Sequence, residues 1–219
     1  MTRALLSLIA FAGLAAASAA AAQDAPSAAT PPPAAPVASP DPAVSTGAAA
    51  PAEGPGAERP ALPTTGDGAA VLSAIEKICI PQVRGQDLAK VAAAEGYKRN
   101  RRDETYSKPL GPKPYELIVQ SPGANTQVCS LTVRYAIGQE KPIVEALTYW
   151  SFLRDPELKL QRNDFAVGPD GVKRITLAWE HYTSRDSTGL VLVQLKRPDG
   201  APLNEKYDEA TVLYSERTF

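Results

Sequence analysis

The stretch QVCSLTVRYAI, residues 127–137, decides the fold because apolar and polar side chains alternate along it. Its apolar positions are Cys129, Leu131, Val133, Tyr135 and Ile137, and its polar positions are Ser130, Thr132 and Arg134. A period of two residues is typical of a β-strand with one buried and one exposed face. The stretch therefore predicts a strand that forms part of the floor of a hydrophobic core.

Further strands and three helices are predicted on either side of this stretch. Strands are expected over 115–120, 172–182, 190–195 and 210–214, separated by turn-forming segments such as Ser121–Asn125 and Gly168–Gly171. The run 190–195 is apolar on both faces, which is typical of a central strand. Helices are expected over 68–79, with Asp67 as N-cap and Pro81 as terminator, over 86–95, and over 142–153. Tyr97–Lys113 is expected to be a polar loop.

This order of elements predicts an α+β fold. N-terminal helices would pack on a mainly antiparallel sheet of about five strands. The predicted domain, 69–219, has a length suited to one globular core.

Two cysteines, Cys79 and Cys129, permit a single intramolecular disulfide. No C-x-x-C motif accompanies them, so a redox-active pair is disfavoured against a structural bridge or two free core thiols. We expect the bridge, because the N-terminus indicates export to an oxidising compartment.

The first 22 residues have the pattern of a signal peptide. Arg3 precedes an uncharged run rich in leucine and alanine, and Ala20-Ala21-Ala22 fits an A-x-A cleavage site before Gln23. An uncleaved anchor is the alternative, since 19 uncharged positions approach the length of a membrane span. With cleavage, the protein would be periplasmic or secreted and would lack a transmembrane segment.

Residues 23–68 are expected to form a disordered linker rich in alanine and proline. Eleven of the 21 prolines lie there, and the segment has no aromatic residue. Such a composition cannot bury enough apolar surface to offset the entropy of ordering.

Overall charge and composition exclude several classes of function. The net charge is −1, which disfavours a dedicated nucleic-acid-binding protein. One histidine, one methionine and two cysteines leave few ligands for a soft metal, and no glycine-rich phosphate loop is present. We therefore expect no metal and no cofactor.

The densest cluster of charge is KRNRR, residues 98–102, which supplies the candidate binding residues Lys98, Arg99, Arg101 and Arg102. Four bases in five residues could contact an anionic envelope surface or an acidic envelope protein. Asp103 and Glu104 follow at once, so an ordinary solvated loop is the alternative.

His181 is the catalytic candidate, because every general-base or zinc hypothesis has to use the single histidine. Ser184, Asp186 and Ser187 follow it closely. Ser-His-Asp triads are assembled from separate elements, however, and here all candidates crowd one strand end and its turn.

The pattern Ile78-Cys79-Ile80-Pro81, followed by Leu88, Ala92, Gly96-Tyr97 and the strand cysteine Cys129, resembles uncharacterised small secreted (periplasmic) two-cysteine proteins of alphaproteobacterial type. The resemblance covers residues 70–195. It implies a signal peptide and a domain of two helices followed by a sheet, and it implies no particular activity.

Together these features predict an exported cell-envelope binding or accessory protein, such as an adaptor, without a recognisable catalytic centre. The alternative is a small periplasmic enzyme that uses His181 with a nearby carboxylate.

Overall fold

An eight-stranded antiparallel sheet with helices on one face organises the computed structural model, which describes residues Ala61–Phe219. The expected signal peptide and all but the end of the expected linker lie outside the described residues. The strands are β1 (Lys98–Asn100), β2 (Thr105–Pro109), β3 (Glu116–Gln120), β4 (Val128–Tyr135), β5 (Lys159–Val167), β6 (Lys173–Tyr182), β7 (Asp186–Lys196) and β8 (Asp208–Thr218).

Two meanders, β1–β4 and β5–β8, join through the pairing of β4 with β8. The strand order is β1-β2-β3-β4-β8-β7-β6-β5. Leu131 lies opposite Val212, which in turn lies opposite Leu192, so the alternation of one strand continues across its neighbours. The α+β prediction is confirmed, and the prediction of a central strand over 190–195 agrees with the place of β7 between β6 and β8.

The prediction of about five strands is wrong, because β1, β2 and β5 were not anticipated. β1 and β2 lie within the expected loop 97–113. β1 and β5 are exposed along their whole lengths, so neither has a buried side whose periodicity could reveal it. They are the two edge strands, and backbone pairing with one neighbour holds each of them.

The helices are α1 (Gly66–Ala74), α2 (Ile80–Val83), α3 (Leu88–Ala94) and α4 (Lys141–Leu153), and a π-helical turn, Ile75–Cys79, connects α1 to α2. The predicted stop at Pro81 is wrong, since helical structure continues to Val83. Pro81 lies in the first turn of α2, where a missing N–H is tolerated. α1 begins one residue before the predicted cap, which places Asp67 inside its first turn.

The core lies between the helices and the sheet face that they cover, here called the inner face. Leu131, Val133, Leu190 and Val212 are fully or almost fully buried there. Trp150 of α4 packs edge-on against the ring of Tyr214, with 6.1 Å between the ring centroids. The opposite face of the sheet, the outer face, is covered by no described element.

The structure confirms the expected disulfide between Cys79 and Cys129. The two Cα atoms are 5.2 Å apart, and the bridge joins the π-helical turn to β4. A closed loop of this size stabilises a fold by about 4 kcal/mol in the chain-entropy model. Within Ala61–Phe219, no helix combines the length and the apolar character needed to cross a membrane.

Candidate functional site

The basic run forms a β-hairpin at one edge of the sheet rather than a loop. Lys98 and Arg99 lie in β1, and Arg101 and Arg102 lie in the turn that leads to β2. We call residues 98–109 the basic hairpin. The side chains of Lys98, Arg99, Arg101 and Arg102 are exposed. Arg99 lies opposite Tyr106 in the register of the two strands.

Local hydrogen bonds hold the turn of the basic hairpin. The side-chain amide of Asn100 donates to Asp103 at 2.6 Å, and its oxygen accepts from the backbone N–H of Arg102. Glu104 adopts a positive φ of 51°, and its carbonyl accepts hydrogen bonds from both the N–H and the hydroxyl of Ser121. Asp103 is thus engaged by an amide, and the turn presents its arginines on an ordered backbone.

The base of the basic hairpin is anchored in the core. Tyr97 and Tyr106 are buried, and burial raises the pKa of the Tyr97 phenol, with a further contribution from Glu95. The ammonium group of Lys108 lies 5.6 Å from the centre of the Tyr97 ring and donates to the carbonyl of Glu95.

The cations at the tip of the basic hairpin are followed in the chain by Asp103 and Glu104 but form an ion pair with neither. Among the described residues, Lys98, Arg99, Arg101 and Arg102 form no ion pair within 4.0 Å. Lys90 of the adjacent α3 is also exposed and unpaired within that part of the chain. The arrangement can bind anions by charge attraction without first breaking an internal salt bridge.

His181 lies at the other end of the molecule, beside a polar cavity of about 490 Å³. The cavity opens where α2 and α4 end, beside the last residues of β6 and β8 and the first residues of β7. Arg84, Arg154, Thr188 and Glu216 contribute to its lining. His181 lies directly opposite Thr188, which lies opposite Glu216, so these three side chains form a row across the inner face.

The carboxylate of Glu216 in this cavity is already hydrogen-bonded to other side chains of the chain. Arg84 donates to both of its oxygens at 2.8 Å, and the Tyr214 hydroxyl donates to one of them. Burial by itself raises the pKa of Glu216, but the bonds from Arg84 and Tyr214 outweigh this and hold the pKa below its ordinary value. The guanidinium of Arg154 lies 4.9 Å from the centre of the Trp150 ring.

A Ser-His-Asp arrangement is not assembled around His181. His181 pairs with Thr188, and Ser187 is the residue next to Thr188 in β7. Because neighbouring residues of a strand point to opposite faces, the side chains of Ser187 and His181 lie on opposite faces of the sheet. The hydrogen bonds at the turn are made by Thr183, whose hydroxyl accepts from the N–H groups of Arg185 and Asp186. In the described part of the chain, no three His, Cys, Asp or Glu residues cluster as metal ligands.

Two polar clusters, around Glu216 and around Asp208, were missed by the sequence reasoning. Asp208 is fully buried and bonded to Lys196, while its neighbour Glu209 faces outward and bonds Arg134. Arg84 and Glu216 are 132 residues apart in the chain. No local pattern could pair them, because the pairing follows from the end of α2 and the last strand of the sheet.

Comparison with protein-family models, with curated proteins and with solved structures finds no match for the chain.

Proposed function

We propose that the protein is an exported accessory protein of the cell envelope that binds an anionic surface through the basic hairpin. The observation that carries this proposal is the set of four exposed cations at one sheet edge, with no acidic partner among the described residues. Phosphate-bearing lipid headgroups and acidic wall polymers share the chemistry that such a surface attracts.

Charge is distributed unevenly along the chain in a way that supports this assignment. Six basic and three acidic residues lie between positions 88 and 109, which comprise α3 and the basic hairpin, whereas the chain as a whole has a net charge of −1. Two of the three acids are held within the fold, since Glu95 pairs with Lys77 and Asp103 accepts from Asn100. The basic hairpin and α3 are therefore the positive end of a nearly neutral molecule.

Two observations support an extracytoplasmic location. The Cys79–Cys129 disulfide suits an oxidising compartment. The sequence of residues 1–22 has the pattern of an export signal, followed by an Ala/Pro-rich segment of the kind that serves as a spacer.

Vesicle binding tests the proposal with matched variants. Arg99→Glu, Arg101→Glu and Arg102→Glu together should weaken binding to phosphatidylglycerol vesicles by about 100-fold or more, since each base near such a surface contributes about 1 kcal/mol. The control combines Lys159→Glu, Arg197→Glu and Lys206→Glu, which changes the net charge equally at exposed positions outside the hairpin. Equal loss in both variants would show that only net charge matters and would refute the site.

Photo-crosslinking in cells from position 101, compared with position 159, identifies what the surface is. Adducts to lipid or wall material only at position 101 support the proposal and distinguish its two sources. Adducts to one recurrent envelope protein would instead indicate that the protein is an adaptor and does not bind the lipid or wall surface. Equal adducts at both positions would remove the basic hairpin as the binding site.

Replacing His181 distinguishes surface binding through the basic hairpin from the alternative prediction, an enzyme that uses this residue. His181→Ala should leave vesicle binding unchanged, because the residue lies outside the basic hairpin. Loss of an envelope-related phenotype in cells with His181→Ala, while the charge-reversed hairpin retains it, would favour the enzyme.

A further inference from the structure

The outer face of the sheet has an apolar centre although no described element covers it. β7 carries Leu190 and Leu192 on the inner face and Val191, Val193 and Leu195 on the outer face. The inner set is almost completely buried by the helices, whereas the outer set is only partly buried. A strand that is apolar on both faces is typical of a sheet packed on both sides.

The strand register brings the outer apolar side chains together. Val193 lies between Thr176 and Thr211, and Val191 lies between Ala178 and Leu213. A groove of about 380 Å³ lies beside Gly189, Val191 and Leu213. The centre of the outer face thus combines valine and leucine with alanine and threonine, and the groove leaves room for side chains from a second surface.

Charged side chains surround this apolar centre in equal numbers of each sign. The bases are Arg134, Arg162, Arg174 and Arg217, and the acids are Glu116, Asp164, Glu180 and Glu209. Arg134 bonds Glu116 and Glu209, and Arg162 bonds Asp164, so most of these charges are neutralised within the chain. A balanced rim is complementary to itself, and it gives no attraction to a strongly anionic partner.

The outer face is also large enough to hold a stable dimer. Strands β3 to β8 occupy a width of about 29 Å, and their mean length of nine residues extends about 30 Å, which gives an area of roughly 850 Å². A standard interface buries about 800 Å² on each partner, with an apolar centre and a polar rim.

We propose that the protein forms a homodimer in which the outer faces of two copies pack against each other as a β-sandwich. The two sheets lie about 10 Å apart, with Val193 and Leu213 near the middle of the interface. Glu180 and Arg217, which form no ion pair within the described chain, supply opposite charges for contacts between the copies. This interface is separate from the basic hairpin and does not depend on the proposed function.

Sedimentation equilibrium of the whole protein tests the proposal. We expect twice the mass of one chain at micromolar concentration, and Val193→Asp should return the mass to that of one chain. The control is Val167→Asp, which makes the same substitution at an exposed valine of β5 on the other face of the sheet and should leave the dimer intact. Circular dichroism checks that each variant is folded.

A second variant covers the case in which Val193→Asp fails to fold. Thr211→Arg changes an already polar side chain opposite Val193 and should also abolish the dimer. A wild-type protein that stays monomeric at 100-fold higher concentration would overturn the proposal. A dimer that survives both outer-face variants, or an outer face crosslinked in cells to a different protein, would overturn it as well.

Discussion

Lys196 and Asp208 form an ion pair that is enclosed at the inner face of the sheet. The Lys196 ammonium lies 2.5 Å from the Asp208 carboxylate, and the two side chains are 10% and 0% exposed. The same carboxylate oxygen accepts from the N–H of Gly138, which ties the loop before α4 to the first residue of β8. Removing one partner of such a buried pair is strongly destabilising, because the remaining charge is neither paired nor solvated.

Replacing Lys196 by methionine should therefore destabilise the fold by about 3–5 kcal/mol. The double variant Lys196→Met/Asp208→Leu should recover much of that loss, since it leaves no charge behind and only the Gly138 N–H loses its acceptor. Chemical denaturation measures both free energies of unfolding. Equal losses in the single and double variants would show that the residual charge of Asp208 is not the cause.

The Glu216 carboxylate gives the protein an acid-sensitive contact between α2 and β8. Because bonds from Arg84 and Tyr214 lower the folded pKa of Glu216 despite its burial, its contribution to stability is full above the ordinary value of 4.5. That contribution is lost as the pH falls below 4.5 through the folded pKa. Arg84→Met should reduce stability at neutral pH and make the loss between neutral and acid pH smaller.

Denaturation at about pH 7 and about pH 3 measures this difference directly. Arg162→Met is the control, since Arg162 pairs with Asp164 at exposed positions where an ion pair contributes little. If the free energy of unfolding of Arg84→Met falls as much between these two pH values as that of the wild type, the assigned role of the Glu216 contact is contradicted.

At the scale of elements, α1 packs tightly against α4 at Gly68. A Cβ atom built on Gly68 would lie 2.6 Å from the Pro142 carbonyl oxygen and 2.8 Å from the Ala146 Cβ. Alanine is the better helix former by about 1 kcal/mol, but the contact with backbone cannot relax easily.

Gly68→Ala should lower the free energy of unfolding by about 1–3 kcal/mol through this overpacking. Gly111→Ala is the matched control, because a Cβ there meets nothing within 4 Å and the backbone needs no positive φ. Thermal unfolding compares the two. A Gly68→Ala protein as stable as the control would show that α1 and α4 can move apart without cost.

The predictability of each element follows from how many of its faces are buried. β4 was anticipated because burial of alternate residues leaves a clear period in the sequence, as in Leu131 and Val133. β7 was anticipated because residues 190–195 form an almost continuous apolar run. β5 was missed because all nine of its residues are exposed, so backbone pairing alone determines the strand. α4 was predicted to within one residue at its start, since Ile143, Leu147 and Trp150 mark its buried side.

For the candidate site too, features set by neighbouring residues were predictable, and features set by contacts between distant residues were not. The basic run is visible as four bases in five residues, but its position on an edge strand depends on β2, which has little periodicity of its own. Arg84 reaches Glu216 only after the sheet has formed, so no spacing along the chain could indicate that pair. The cysteine pairing was predictable because two cysteines allow only one bridge.

At the scale of the whole molecule, the two proposed binding surfaces differ in physical character. The basic hairpin is an exposed cluster of like charge at one edge of the sheet, whereas the outer face is apolar at its centre and balanced in charge at its rim. Salt screens exposed charges over a Debye length of about 10 Å at 0.1 M and about 3 Å at 1 M. Contact between apolar surfaces is not weakened by such screening.

Raising the sodium chloride concentration from about 0.05 M to about 0.5 M should therefore separate the two surfaces. Vesicle binding should fall steeply, because it depends on Arg99, Arg101 and Arg102, while the sedimentation mass should remain that of a dimer. Failure of the dimer proposal and failure of the surface-binding proposal give different results in this experiment. A dimer that dissociates in salt would place charge rather than the apolar centre in the interface, and vesicle binding that resists salt would mean that the basic hairpin does not hold the protein to the surface.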